Sequence, residues 1–229
     1  MKYSLKKYSL LRGFLWFSVF ISTSCTSIYI PTTPNIPLCT EHKEATINIG
    51  LNTNSAVLNG SYAITDKYAI IAAYNISYGN FSDIDDMGVL FGTAEFPIIV
   101  DPTKPFKHWI LDAGFGRYYQ ISTTGVFEVY SGIGYGVSKD LWSDLNTKNS
   151  YGNIYIQSNI GLKKPHFELG GVFKLSGAYF NYQYQDNNQN VMYSKIPVLS
   201  IQYGGILRVG GEKVKFWFSP SLNYCHSFT

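Results

Sequence analysis

The C-terminal stretch of the chain alternates between apolar and polar residues. From Val214 to Phe228 the even-numbered positions are mostly apolar, and the positions between them are mostly Lys, Ser and Asn. A period of two residues is the pattern of a β-strand whose two faces meet different surroundings. In a soluble sheet the apolar face lies in the core, whereas in a membrane-spanning barrel it contacts lipid and the polar face lines the interior.

The same alternation recurs in earlier segments, so the sequence predicts an all-β fold. The segments are separated by turn residues, and no stretch after Ala45 has the period of a helix. Each is about as long as the roughly 9 to 11 residues that a tilted strand needs to cross a bilayer. The apolar faces of the predicted strands begin at Ile47, Leu58, Tyr68, Trp109, Phe127, Ile154, Phe167, Leu199 and Val214.

The stretch Met87–Val100 fits neither a clear strand nor a clear loop. It is apolar, but it contains Gly88, Gly92 and Pro97 and alternates poorly. If it is a loop, nine strands remain, and if residues 87–96 form a strand, there are ten. A closed sheet leaves no strand edge in lipid and single-chain bacterial barrels have even strand numbers, so within a range of eight to ten we favour ten.

Composition favours lipid over water as the surroundings of the apolar face. Charged residues make up 14% of the chain, against roughly 25% in soluble globular domains. Aromatic residues make up 17%, and Tyr and Trp are favoured at membrane interfaces. The formal net charge of +3 is too small and too scattered to indicate a nucleic-acid partner. We therefore predict an antiparallel up-and-down transmembrane β-barrel.

Six charged residues are in phase with the polar faces, and we predict that they lie in the barrel interior. Three are acidic and three are basic, so they could pair with one another. A charge on the lipid face would cost about 2 to 4 kcal/mol near the middle of the bilayer. A soluble sandwich predicts the same phase, so the membrane assignment rests on composition and on the N-terminus. The six residues are Asp112, Glu128, Glu168, Lys174, Arg208 and Lys215.

The first 24 residues have the pattern of a secretory signal peptide. Basic residues between positions 2 and 12 precede an apolar stretch that is too short to span a membrane as a helix. The small residues 22–24 before Cys25 are similar to the lipobox of bacterial lipoproteins. We predict that Cys25 is acylated and anchors the chain to lipid. Ordinary cleavage near Ser24, without acylation, is the alternative.

The remaining chain divides into a tether and a barrel. In residues 25–44 the prolines Pro31, Pro34 and Pro37 favour an extended chain, so we interpret this piece as a lipid-anchored tether. Residues 45–229 form the predicted β-barrel domain.

Acylation of Cys25 would leave Cys39 and Cys225 as the two thiols of the chain. Pairs of thiols tend to form disulfides in an oxidising envelope compartment, so we predict a disulfide between them. The alternative is two unrelated thiols, with Cys225 pointing inward as a small core residue. The bond requires both ends of the barrel sheet to emerge on the same side, which an even strand number satisfies.

Four stretches of the sequence carry a resemblance to a known group of proteins: YIPTTPNIP, EHKEATINIG, SYAITDKYAI and TGVFEVYSGIGYGVS. In these stretches the chain resembles small outer-membrane β-barrels of the OmpA and OmpX type. Within that type it is similar to uncharacterised lipoprotein-like barrels of Gram-negative bacteria. The resemblance implies a location in the outer membrane, contact with its lipid, and folding by the barrel assembly machinery. It implies no substrate.

No stretch of the sequence indicates a catalytic, cofactor or metal site. The GIGYG sequence from Gly132 to Gly136 lies in an alternating segment with no helix after it, so its glycines fit crowded interior positions better than a phosphate loop. The acidic run Asp83–Asp86 could hold a cation in an outer loop, although a solvated charge run is the favoured interpretation. The histidines have no metal-ligand spacing: His42, His108, His166 and His226.

These observations lead us to expect a barrel that is not an enzyme and needs no cofactor. Its role would be structural, or its loops would bind a surface or periplasmic ligand that the sequence does not identify. Two other functions stay open at this point. One is a narrow pore or a lipid-modifying barrel enzyme. The other is a periplasmic lipocalin-like barrel, tethered by Cys25, that carries an apolar ligand inside.

Overall fold

The computed structural model describes residues 32–52, 55–80, 105–140, 147–185 and 191–227. Every regular element in these ranges is a β-strand, and neighbouring strands are antiparallel. These ranges contain no helix that is long and apolar enough to cross a membrane. The strands are β1 (Ala45–Asn52), β2 (Ser55–Ala63), β3 (Tyr68–Asn80), β4 (Pro105–Gln120), β5 (Gly125–Asp140), β6 (Thr147–Lys164), β7 (Phe167–Gln185), β8 (Val191–Gly210), β9 (Lys215–Phe218) and β10 (Ser221–Ser227).

The strands follow one another in the sheet in their order along the chain. β1 to β8 form an up-and-down meander, and both β9 and β10 pair with β8. The last two are halves of a single strand position, because Phe218 lies opposite Leu207 and Ser221 lies opposite Gly204. The break falls at residues 219–220, where Pro220 has no amide hydrogen to donate. The predicted all-β, up-and-down antiparallel fold is confirmed as a curled half-barrel with nine strand positions in the described chain.

The tenth strand predicted for residues 87–96 lies outside the described residues. β3 and β4 pair directly along thirteen consecutive residue pairs, from Tyr68 opposite Arg117 to Asn80 opposite Pro105. In the described sheet no strand therefore lies between β3 and β4.

The two faces of the half-barrel have opposite polarity. Apolar side chains point outward on the convex face, where Ile133 of β5 and Ile154 of β6 lie opposite each other and are 67% and 68% exposed. Polar side chains point inward on the concave face, where Asp112 and Glu128 are 1% and 0% exposed. The alternation of the sequence therefore places the apolar residues outside, which is the reverse of a soluble sheet with an apolar core.

Short turns gather at one end of the half-barrel, called here the short-turn end. They comprise residues 64–67, 121–124, 165–166 and 211–214. Main-chain hydrogen bonds close these turns, as from Ile121 N to Gly125 O and from Gly211 N to Val214 O. The connections at the opposite end, which follow β1, β3, β5 and β7, lie outside the described residues. With nine strand positions, β1 starts at the short-turn end and β10 finishes at the opposite end.

Three glycines of β5 lie close to side chains of neighbouring strands. A Cβ atom added at Gly132 would lie 2.5 Å from the Tyr155 ring, and one added at Gly134 would lie 1.9 Å from Asp112 Oδ1. At Gly136 it would lie 2.4 Å from the Tyr151 ring. The GIGYG sequence thus leaves room for side chains that fill the concave face, as the sequence analysis favoured.

Replacement of Gly136 by Ala is expected to destabilise the fold by about 1 to 3 kcal/mol, the usual cost of overpacking. The Tyr151 ring cannot easily yield, because it is fully buried and stacks on Phe180 at 4.5 Å between ring centroids. Gly152→Ala is the matched control: it lies on the adjacent strand, and the nearest atom to its added Cβ is 3.9 Å away. Denaturant unfolding of the two variants in detergent should show a loss for Gly136→Ala alone, and equal stabilities would contradict the crowding argument.

Candidate functional site

Residues 32–40, called here the inner segment, lie along the concave face of the half-barrel. Thr32, Asn35, Ile36, Leu38 and Cys39 are buried there. Pro34 and Pro37 favour an extended main chain, which leaves its carbonyl groups without partners in a helix or a sheet ladder. This region belongs to the tether predicted from the sequence, and its place in the interior was not predicted.

Strands β6 and β8 hold the inner segment through its main chain. Side chains on these strands donate hydrogen bonds to four carbonyl oxygens of the segment. Such contacts satisfy polar groups that would otherwise be buried without partners. The bonds run from Gln202 Nε2 to Thr32 O (3.2 Å), Gln157 Nε2 to Asn35 O (2.6 Å), Arg208 Nη2 to Ile36 O (2.7 Å) and Lys163 Nζ to Leu38 O (3.1 Å).

Glu128 of β5 binds the C-terminal end of the inner segment. Its Oε1 accepts a hydrogen bond from Cys39 N at 2.7 Å and one from the Tyr130 hydroxyl at 3.3 Å. Its Oε2 accepts a third from Asn159 Nδ2 at 2.8 Å. No lysine, arginine or histidine of the described chain forms an ion pair with this fully buried carboxyl group. Hydrogen-bond donors, including a main-chain amide of the inner segment, therefore stabilise the buried Glu128 carboxyl group.

A buried ion pair holds Thr32, the first residue of the inner segment. Lys174 Nζ of β7 lies 2.6 Å from Asp112 Oδ2 of β4, and both side chains are 2% exposed. Thr32 joins the two, since its hydroxyl donates to Asp112 Oδ2 at 2.5 Å and accepts from Lys174 Nζ at 2.9 Å. The ammonium also lies 4.2 Å from the centroid of the Tyr155 ring, a cation–π contact. This cluster links two strands that are three positions apart in the sheet.

A second ionic cluster lies near the short-turn end. Glu168 of β7 accepts from Arg208 Nη1 and from Lys215 Nζ, each at 2.6 Å. Arg208 therefore uses one terminal nitrogen for Glu168 and the other for the carbonyl of Ile36. The cluster ties β7, β8 and β9 together and also contacts the inner segment.

All six charged residues proposed for the interior lie on the concave face, and five of them form ion pairs. The neutral donors Gln157, Asn159 and Gln202 were not predicted, although each is in phase with the polar face. The ion pair between Lys163 and Glu44, which lies where the inner segment meets β1, was not predicted either. The phase of a strand shows which residues point inward but not which main chain they meet there.

Cys39 and Cys225 do not form the predicted disulfide. Cys39 packs with Ala63 and Tyr118 near the short-turn end, whereas Cys225 packs with Ile110 in a different cluster. The reason is the strand number in the described sheet. Nine positions put the start of β1 and the finish of β10 at opposite ends, so the two thiols cannot meet.

The Cys39 thiol is expected to resist alkylation in the folded protein. Burial raises the pKa of Cys39 to about 12, and the thiolate is the reactive form. In the unfolded chain a cysteine pKa returns to about 8.5, so denaturant should release the reactivity at mildly alkaline pH. Peptide mass mapping after iodoacetamide treatment, with and without denaturant, measures both states. Rapid modification of Cys39 without denaturant would show that the inner segment is not held as described.

The open edges of the half-barrel face each other across a cleft of about 1350 Å³. One side of the cleft is β1 and the other is β9 and β10. Trp217 of β9 bridges it, with Nε1 donating to Ile49 O at 3.1 Å. An added Cβ at Gly50 would lie 2.4 Å from the same indole ring, so only glycine admits this close approach. β1 and β9 run in the same direction, because an even number of reversals separates them.

The described residues offer no assembled site for a metal ion. Within them, no group of three or more His, Cys, Asp or Glu side chains could hold one. His108 is buried and its Nε2 lies 2.5 Å from the Tyr151 hydroxyl, with the two rings stacked. The acidic run Asp83–Asp86 and the proposed acylation site Cys25 lie outside the described residues.

No known protein-family model matches the chain, and no curated protein matches it in sequence.

Proposed function

We propose that this chain is an outer-membrane β-barrel lipoprotein with a structural or surface-interaction role. The single observation that carries the proposal is the polarity of the half-barrel, apolar outside and polar inside. Monomeric soluble proteins rarely expose a contiguous apolar patch larger than a few hundred square ångströms. Here exposed large apolar residues occur along the sheet from β1 to β10, among them Ile47, Ile70, Leu111, Ile133, Ile154, Leu169, Tyr203, Phe216 and Leu222.

A second observation that supports the proposal is that main-chain N–H and C=O groups of the sheet bond to each other between neighbouring strands. In a bilayer the main-chain N–H and C=O groups must bond within the protein, which only helices and barrels achieve. The ladders from β1 to β8 and β10 meet this demand for every inner strand. Only the outer edges of β1 and of β9 with β10 lack a neighbouring strand in the described chain, and the Trp217 bridge lies between them.

The concave face favours an interaction barrel over the other functions. A lipocalin-like carrier of an apolar ligand needs an apolar interior, whereas this one holds two ionic clusters. A conducting pore needs an open lumen, whereas the inner segment lies along this one. Interior charges that pair with each other also favour a filled barrel. The proposed partners are outer-membrane lipid, the barrel assembly machinery during folding, and a ligand at the end opposite to the short turns.

Membrane fractionation of two matched chains tests this proposal. The wild type and Cys25→Ser should both stay in the outer-membrane fraction after alkaline washing, and both should migrate differently on a gel before and after boiling. The variant separates insertion of the strands from anchoring by a lipid. If Cys25→Ser were released into the soluble fraction in folded form, the protein would be a tethered soluble barrel and the proposed membrane-spanning role would be wrong.

A fatty-acid probe tests the anchor itself in the same cells. We expect metabolic labelling of the wild type and none of Cys25→Ser, because the thiol of Cys25 is the proposed site of acylation. Equal labelling of the two chains would exclude Cys25 as that site, and absence of label from both would support ordinary signal cleavage instead.

A further inference from the structure

The geometry points to a threaded chain. The concave face binds an extended polypeptide, which is the inner segment. The residues that precede Thr32 leave the half-barrel at the end opposite to the short turns. In the proposed outer-membrane setting short turns face the periplasm, so the threaded chain would emerge at the cell surface. This last step rests on the proposed function, whereas the direction of threading rests on the contacts alone.

Contacts along β6 give the direction of the inner segment. β6 runs toward the short-turn end, so Lys163 lies nearer that end than Gln157. Lys163 binds the carbonyl of Leu38, and Gln157 binds the carbonyl of Asn35. The segment therefore moves away from the short turns as its residue numbers fall.

Contacts along β8 and β7 give the same direction independently. On β8, Arg208 near the short-turn end binds Ile36 O, and Gln202 further away binds Thr32 O. On β7, an added Cβ at Gly170 would lie 3.0 Å from Ile36, whereas Lys174, which is further from the short turns, binds Thr32. Contacts on three strands thus place Thr32 at the end of the inner segment that lies farther from the short turns.

The chemistry of the site suits an extended polypeptide rather than a small ligand. Four carbonyls and one amide of the inner segment bond to strand side chains, and these groups occur in every peptide. Asn35 Nδ2 adds bonds to the main-chain oxygens of Gly60 (2.6 Å) and Ala72 (3.1 Å) on the far side of the lumen. Contacts that span the lumen hold the segment within the half-barrel rather than on one wall.

The chain between Cys25 and Thr32 is long enough to reach from Thr32 to the far end of the half-barrel. Thr32 binds Asp112, which lies seven positions after Pro105, where β4 starts at the far end. Cys25 likewise lies seven positions before Thr32. At about 3.3 Å per residue either stretch spans at most about 23 Å. Cys25 can therefore reach the far rim, and a lipid attached to it would anchor the chain on that side.

Epitope tags placed at three positions test the threading. One tag is inserted between Ser27 and Ile28, a second within residues 186–190 after β7, and a third between Glu212 and Lys213 in a short turn. Antibody binding is measured on intact cells and on cells whose outer membrane has been permeabilised. We expect the first two tags to be bound on intact cells and the third to be bound only after permeabilisation.

The pattern of the three tags separates the possible failures. If the tag at Ser27 behaved like the one at Glu212, the chain would not be threaded and this inference would be wrong, although the membrane-spanning barrel would stand. If the tags after β7 and at Glu212 were equally accessible, the barrel would not span the membrane and the proposed function would fail. Spin labels at positions 28 and 188 of the detergent-purified chain test the direction without a membrane: they should lie closer together than labels at 28 and 213, and the reverse order would contradict the threading.

Discussion

Replacement of Lys174 by Met is expected to destabilise the folded protein by about 3 to 5 kcal/mol, the usual cost of leaving one partner of a buried ion pair alone. The variant would leave Asp112 buried, with Thr32 and Asn153 as donors but without its cation. Thr32 would also lose the ammonium that holds this first residue of the inner segment. Denaturant unfolding of the detergent-solubilised protein, followed by tryptophan fluorescence, measures the loss.

Two further variants serve as controls for the Lys174→Met result. Lys164→Met removes the same charge from an exposed side chain of β6, and we expect its stability to stay within about 0.5 kcal/mol of the wild type. The double variant Lys174→Met with Asp112→Leu removes both charges, and it should recover a large part of the loss, because an apolar pair can replace a buried ion pair. A Lys174→Met variant as stable as Lys164→Met would contradict the described cluster.

Introduction of Arg at Ile133 is expected to block insertion of the barrel, whereas Arg at Val214 should be tolerated. Both side chains are exposed, at 67% and 76%. Ile133 lies midway along β5, and Val214 lies in a short turn beyond the strands. Near the middle of a bilayer Arg costs about 2 to 4 kcal/mol, falling to about 0 to 1 kcal/mol near the interface.

The same pair of variants distinguishes lipid from water around the convex face. In water an exposed Ile133→Arg change would stay within about 0.5 kcal/mol, since surface substitutions have small effects. Outer-membrane abundance and the fraction with heat-modifiable migration are the measurements. Equal assembly of the Ile133 and Val214 variants would show that the convex face does not contact lipid.

The strands and their two faces could be predicted because a period of two is a local property. Ile133 and Asp112 fall on opposite faces of the curled sheet, and counting along the chain is enough to assign them. Strand ends were less well predicted, since β4 starts at Pro105 and β8 at Val191, several residues before their clear alternation. Polar connections and strand extensions have similar compositions, so pattern alone does not separate them.

The placement of the inner segment could not be predicted, because its contacts join distant parts of the chain. Arg208 binds Ile36 across 172 residues, and it does so through a main-chain carbonyl that leaves no trace in the sequence. The disulfide prediction failed for a related reason. It depended on an even number of strand positions between Cys39 and Cys225, and parity is a property of the whole sheet. The break at Pro220 likewise interrupts a stretch that alternates at most of its positions.

The central claim is that the apolar convex face contacts lipid, and a nitroxide at Ile154→Cys in vesicles containing the protein tests it most directly. Ile154 points outward from the middle of β6 and is 68% exposed. Collision with molecular oxygen, which dissolves in the bilayer, should be frequent, and collision with a water-soluble nickel complex should be rare. The same label at Val214→Cys in the short turn should give the opposite order. Frequent collision of the Ile154 label with the nickel complex would place the convex face in water and would contradict the account.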